Sequence, residues 1–100
     1  MGAVPARWFP VAERLSRWAR MSLLQLQLEK YRPSEIACLC GVSVQAVVNW
    51  IRSDLHTPGN AASVKLLEEA WRLDPRRVKR ILRLEVRRHS SDLRKLGIQI

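Results

Sequence analysis

Residues 33–52 read Pro-Ser-Glu-Ile-Ala-Cys-Leu-Cys-Gly-Val-Ser-Val-Gln-Ala-Val-Val-Asn-Trp-Ile-Arg: a short helix, a glycine corner and a second helix. Ile36, Cys40, Val42, Val47 and Trp50 fall where two such helices must touch. Ala37 is small at the crossing, and Gly41 stands where the chain must turn sharply with positive φ. The spacing predicts helices over 34–40 and 44–53 packed at a steep angle, the layout of a helix-turn-helix. Ser34 and Ser43 are the expected N-caps, with Glu35 favourable in the first turn.

One hundred residues with 47% apolar content suit one small core rather than two. The formal charge of +9 and a pI of about 11.1 point to a polyanion, nucleic acid before an anionic membrane surface. Charge is divided along the chain. Residues 1–33 hold six Arg or Lys against two acids (+4), residues 34–74 three against five (−2), and residues 75–100 nine against two (+7). The segment that contains the motif is therefore slightly acidic between basic flanks.

No apolar run approaches the roughly 20 residues needed to span a bilayer, so no membrane partner is expected. The arginine-rich start lacks the apolar core of a secretory signal, and Ala6 stands where a myristoylation signal needs Ser or Thr. The expected location is the cytoplasm, nucleoid-associated or phage-encoded in a host. Cys38 and Cys40 form a C-x-C whose side chains leave a helix on different faces, so they cannot readily bridge. With His56 and His89 far along the chain, no metal site and no cofactor are expected.

The periodicity predicts an all-α fold: a compact bundle of about five helices containing the helix-turn-helix, with N- and C-terminal helical extensions. Residues 1–10 hold two prolines and read as an irregular arm, with Trp8 and Phe9 free to dock. Residues 11–75 form the motif-bearing domain, and residues 76–100 a basic helix and tail. Val11, Leu15, Trp18 and Ser22, then Leu24, Leu28 and Tyr31, mark one long helix or two short ones ending before Pro33. Residues 56–60 are a loop by composition. Val64, Leu67, Ala70 and Trp71 give the next helix its inward face. Asp74 and Pro75 are an N-cap and a first helical residue. The helix they open carries Val78, Ile81, Leu82, Leu84 and Val86 among seven basic residues. Residues 92–100 close the chain as a short segment.

Beyond the motif, the chain resembles the Cro/CI-like (XRE) helix-turn-helix DNA-binding domains of phage and bacterial repressors. Gly41-Val42-Ser43 opens the second helix, and Trp50-Ile51-Arg52-Ser53 is similar to the W-E-x-G or W-E-R-S that follows in that family. Pro58 falls near the family's proline, and residues 64–75 resemble its closing helix ending in Asp-Pro. The likeness covers roughly residues 34–75. Ile51 replaces the usual glutamate, the loop between Trp50 and Pro58 is longer than the family's by about one residue, and the R-x-x-x-G-L-[ST]-Q pattern is missing before Pro33. Isolated helix-turn-helix units of transposases share phrases like residues 41–47. The resemblance implies a sequence-specific double-stranded DNA-binding protein acting as a transcriptional regulator, bound to two-fold operators as a homodimer.

In such a motif the second helix enters the major groove. Val44, Gln45, Val48, Asn49 and Arg52 are the expected base contacts. Gln45 and Asn49 lie one turn apart and each can pair with the N6/N7 edge of adenine, valines can touch thymine methyls, and Arg52 can reach guanine. The same amides would also suit an ordinary solvated helix, and Val48 the edge of the core. Ser43 and Ser34, at helix N-termini, and Arg32, Arg76, Arg77, Lys79 and Arg80, on the basic flanks, are the expected phosphate contacts. The apolar stripe of the last helix, with Leu93, Leu96, Ile98 and Ile100, either closes the core or meets a protein partner, as would the N-terminal arm.

Two other functions fit the residues. One is the DNA-binding subunit of a transposase, excisionase or terminase complex. The other is a helical adaptor that binds RNA or protein without DNA. An enzyme is not expected: there is no phosphate-cradling glycine loop, no paired-carboxylate motif and no Cys/His or Ser/His constellation, and Glu68-Glu69 read as a solvated helix edge.

Overall fold

A computed structural model describes residues 8–88 of the chain as six α-helices. They are α1 (Trp8–Glu13), α2 (Arg17–Leu28), α3 (Pro33–Cys40), α4 (Val44–Arg52), α5 (Asn60–Leu73) and α6 (Pro75–Arg88). Among the described residues there is no strand, so the all-α expectation holds. The C-terminal segment 92–100, with its apolar Leu93, Leu96, Ile98 and Ile100, lies outside the described residues.

The expected irregular arm is helical from Trp8 onward. Trp8 is buried with its ring 5.5 Å from that of Trp71, and Pro10 sits in the first turn, where its missing N–H removes no helical bond. The chain then breaks, so the long-helix alternative gives way to two helices. Ser16 caps α2 by accepting from Ala19 N–H at 3.3 Å. Its own N–H and hydroxyl donate to the carboxylate of Glu85 at 2.5 and 2.9 Å. Glu85 is fully buried, a position the apolar stripe of the last helix left unassigned.

α5 lies at the centre of the bundle, against α1, α2, α3 and α6. Its interior face is Ala62, Ser63, Leu66, Leu67 and Ala70. Leu66 thus takes the place expected of Val64, which is half-buried, as is Trp71. Gln27 of α2 is buried here, donating to the Leu66 carbonyl at 2.7 Å and to Leu23 at 3.3 Å. On α6, Val78, Ile81 and Leu82 are buried against α2 and α5 as expected, while Leu84 remains half-exposed. Asp74 caps this helix, accepting from Arg77 N–H at 3.2 Å.

Arg20 joins the α1–α2 turn to the loop before α5. Its guanidinium donates to the carbonyls of Ala12 (3.0 Å), Leu15 (3.0 Å) and Pro58 (2.7 Å) and to Asn60 Oδ1 (2.9 Å). Among the described residues no single helix is long and apolar enough to cross a membrane. Only together do α3 and α4 reach that length and apolar composition, and the pair is bent by 114° at its break.

Candidate nucleic-acid interface

The corner between α3 and α4 follows from the residues that form it. Gly41 adopts φ 68°, ψ 35°, the left-handed region that L side chains avoid. Its N–H donates to Cys38 O (3.3 Å), and Val42 N–H reaches back to Ala37 O (3.0 Å). That pair of bonds is a Schellman closure, with Val42 packed on the core. Ser43 then caps α4 by accepting from Ala46 N–H at 3.1 Å. Only Gly41-Val42-Ser43 separates the helices. The 114° bend turns α4 so that Val47 and Trp50 face inward, where Trp50 is 6% exposed.

Ser34 is not the cap of α3. Pro33 takes the first helical position, Arg32 the cap, and Glu35 accepts from Arg32 N–H at 2.9 Å. A proline at the first helical position needs no partner, so the helix starts one residue before the serine. Ser34 is exposed in the first turn. The turn that leads into α3 is tied to α5: Tyr31 donates its hydroxyl to Glu69, and Arg72, one turn further along α5, pairs with the same carboxylate. The Arg72 bonds, and then the Tyr31 bond, hold the Glu69 carboxyl below its usual range, while the Tyr31 hydroxyl is raised chiefly by donating to Glu69.

The outer side of α4 carries all five expected base-contact residues. Val44, Gln45 and Arg52 are exposed, and Val48 and Asn49 are half-buried. Gln45 Nε2 donates to Asn49 Oδ1 at 2.9 Å, so the two amides form one outward unit. Ile51, at the position where the resemblance leads one to expect glutamate, is 43% exposed beside them. Behind this surface Arg17 of α2 braces the helix end, donating to Ser53 O at 3.3 Å and lying 3.8 Å from Asp54.

The expected phosphate contacts divide into separate places. Arg32, Ser34 and Ser43 are exposed around the motif. Arg76, Lys79 and Arg80 are exposed on α6, which packs on α2 and α5, whereas α4 packs on α3. Lys79 Nζ lies 5.8 Å from the centre of the Trp71 ring. Arg77 is not free: it makes a two-pronged bond to Glu29 at 2.6 and 2.9 Å, which lowers the Glu29 carboxyl and raises the Arg77 guanidinium. Arg83 and Arg87, absent from the expected set, are exposed on the same helix. Their spacing from Arg76 and Arg80 was the signal that could have found them.

Cys40 donates toward Ala62 O at 3.8 Å, and burial pushes its thiol up to about 11, which suits a packing role. Cys38 is exposed, and neither cysteine is bridged. Among the described residues no three His, Cys, Asp or Glu side chains converge as a metal would need. Compared with family models, with curated proteins and with solved structures, the chain finds no match.

Proposed function

We propose that the chain is a sequence-specific double-stranded DNA-binding protein of the prokaryotic or phage transcriptional-regulator kind, reading the major groove with α4. The observation that carries this reading is the outward surface of α4 beyond a rigid glycine corner. Gln45 and Asn49 are joined there at 2.9 Å, with Arg52 at the far end. A linked pair of amides presents donors and acceptors to adjacent base edges from one fixed geometry, which suits adenine recognition. Ser43, Ser34 and Arg32 would take backbone phosphates next to the groove, positioning α4 without reading sequence. A two-fold site bound by two copies belongs to the same reading.

Selection of bound sites from random duplex DNA by the purified protein tests it. Given a preferred site, Gln45→Ala and Asn49→Ala should each weaken it by about 1–3 kcal/mol while random-sequence affinity stays nearly unchanged. Equal losses on both duplexes, or no enriched sequence, would remove the base-reading role.

A second reading, a helical adaptor, draws on the apolar residues of the same surface. Val44 is 47% exposed, and Leu55, just after α4, is 91% exposed. Such residues suit a protein contact as well as thymine methyls. Under the adaptor reading, no duplex sequence is enriched, and substituting Leu55 would abolish binding to a protein partner.

A further inference from the structure

Arg76, Arg80, Arg83 and Arg87 follow one another at intervals of four, three and four residues, which sets them along one side of α6. All four are exposed. The opposite side of the helix is occupied by Val78, Ile81, Leu82 and Glu85, all buried. Among the described residues no ion pair involves any of the four arginines. The acid that α6 does carry, Glu85, is spent on Ser16 in the interior. Like charges one turn apart repel, so the row disfavours the free helix. A helix that only closed the core would gain nothing from it.

We propose that this row is a second DNA-contact surface, which grips the phosphate backbone independently of the base-reading side of α4. The choice of DNA as the polyanion rests on the reading above. The row runs about 16 Å along the helix axis at 1.5 Å per residue. Over that length a duplex presents about ten phosphate charges, at one per roughly 1.7 Å. Neighbouring arginines one turn apart are about 5–6 Å from each other at Cβ, and each guanidinium fork can take two phosphate oxygens. A membrane surface is disfavoured because a helix lying on lipid needs an apolar side to insert, and α6 has committed its own to the core. An acidic protein partner is disfavoured because none of the large exposed hydrophobics, Phe9, Val44, Ile51 and Leu55, lies on α6 to anchor it.

The test uses the full chain with Arg76→Gln, Arg80→Gln, Arg83→Gln and Arg87→Gln combined, titrated with a random-sequence duplex at several salt concentrations. Losing four phosphate contacts should flatten the slope of log K against log salt by about three to four. On the same duplex, Gln45→Ala with Asn49→Ala should keep the wild-type slope. Circular dichroism checks the fold. If the fourfold variant does not fold, the pairs Arg76→Gln/Arg80→Gln and Arg83→Gln/Arg87→Gln should each give about half the change. An unchanged slope in a folded variant overturns the proposal. So does a variant that keeps its DNA affinity but loses binding to vesicles containing anionic lipid. Failure of the α4 reading looks different: no preferred sequence is found, yet the slope still falls with the arginine row.

Discussion

Trp50 sits one turn after Val47 on the inner side of α4 and joins the same buried cluster as Ile36 and Leu67. An indole of that burial holds the helix by area and close packing, so Trp50→Ala should cost about 3–5 kcal/mol. That is a large share of the roughly 5–15 kcal/mol that holds a small domain together. Urea unfolding of the two proteins measures it, and a difference below about 1 kcal/mol would mean that the indole does not anchor α4. Residues of this kind were legible in the sequence because local geometry demands them. A positive φ needs Gly41, a helix start needs Ser43, and the helical period puts Val47 and Trp50 inward. Residues whose partners lie far along the chain were not legible. Glu85 reads as one acid in a basic, solvated helix until Ser16, 69 residues away, comes into contact. Arg77 likewise looks free until Glu29 meets it. Helical periodicity carries no information about such pairs.

Among the elements, a start is legible in the sequence where one residue type suffices and less so where two compete. Asp74 and Pro75 open α6 as expected, but at α3 a proline and a serine stood side by side and the proline set the start. On α5, Leu67 and Ala70 are inside as expected, while Leu66 takes the place of Val64: both are apolar, and which one is inside depends on how α2 and α3 pack against α5. The turn between α2 and α3 is tied to α5 by the Tyr31–Glu69–Arg72 group, a tie that is sensitive to acid. Bonds from Arg72 and Tyr31 favour the charged carboxylate of Glu69, so its folded pKa is lowered. Their contribution is complete above the ordinary carboxylate value of 4.5 and is lost as the pH falls through the lowered folded value. Glu69→Gln should therefore melt at a lower temperature than the wild type at pH 7. The gap should narrow steadily below about pH 4. Thermal melts at pH 7, 5 and 3 check this, and a gap that stays constant with pH would show that the carboxylate charge has no part in stabilising the fold.

For the molecule as a whole, the chain divides differently in space than in sequence. Composition separates a motif-bearing region ending at residue 75 from a basic C-terminal helix, because the charge changes sign there. Packing draws no such line. Val78, Ile81 and Leu82 complete the core on α2 and α5, and Glu85 supplies the acceptor for the N–H and hydroxyl of Ser16 where α2 begins. Fully burying three such side chains contributes about 1.5–3 kcal/mol each. That sum is comparable with the whole stability of a small domain, even before the lost partner of Ser16 is considered. A chain ending at Asp74 should therefore not unfold cooperatively, although it retains both helices of the motif. Far-ultraviolet circular dichroism during heating would show a broad, shallow loss of helix instead of a sharp transition. Supplying residues 75–100 as a separate peptide should restore part of the transition, because the helix brings its apolar side and Glu85 with it. A sharp transition in the shortened chain alone would mean that α1 to α5 close the core without α6. The basic helix would then be an appendage, free to have been added for its charge.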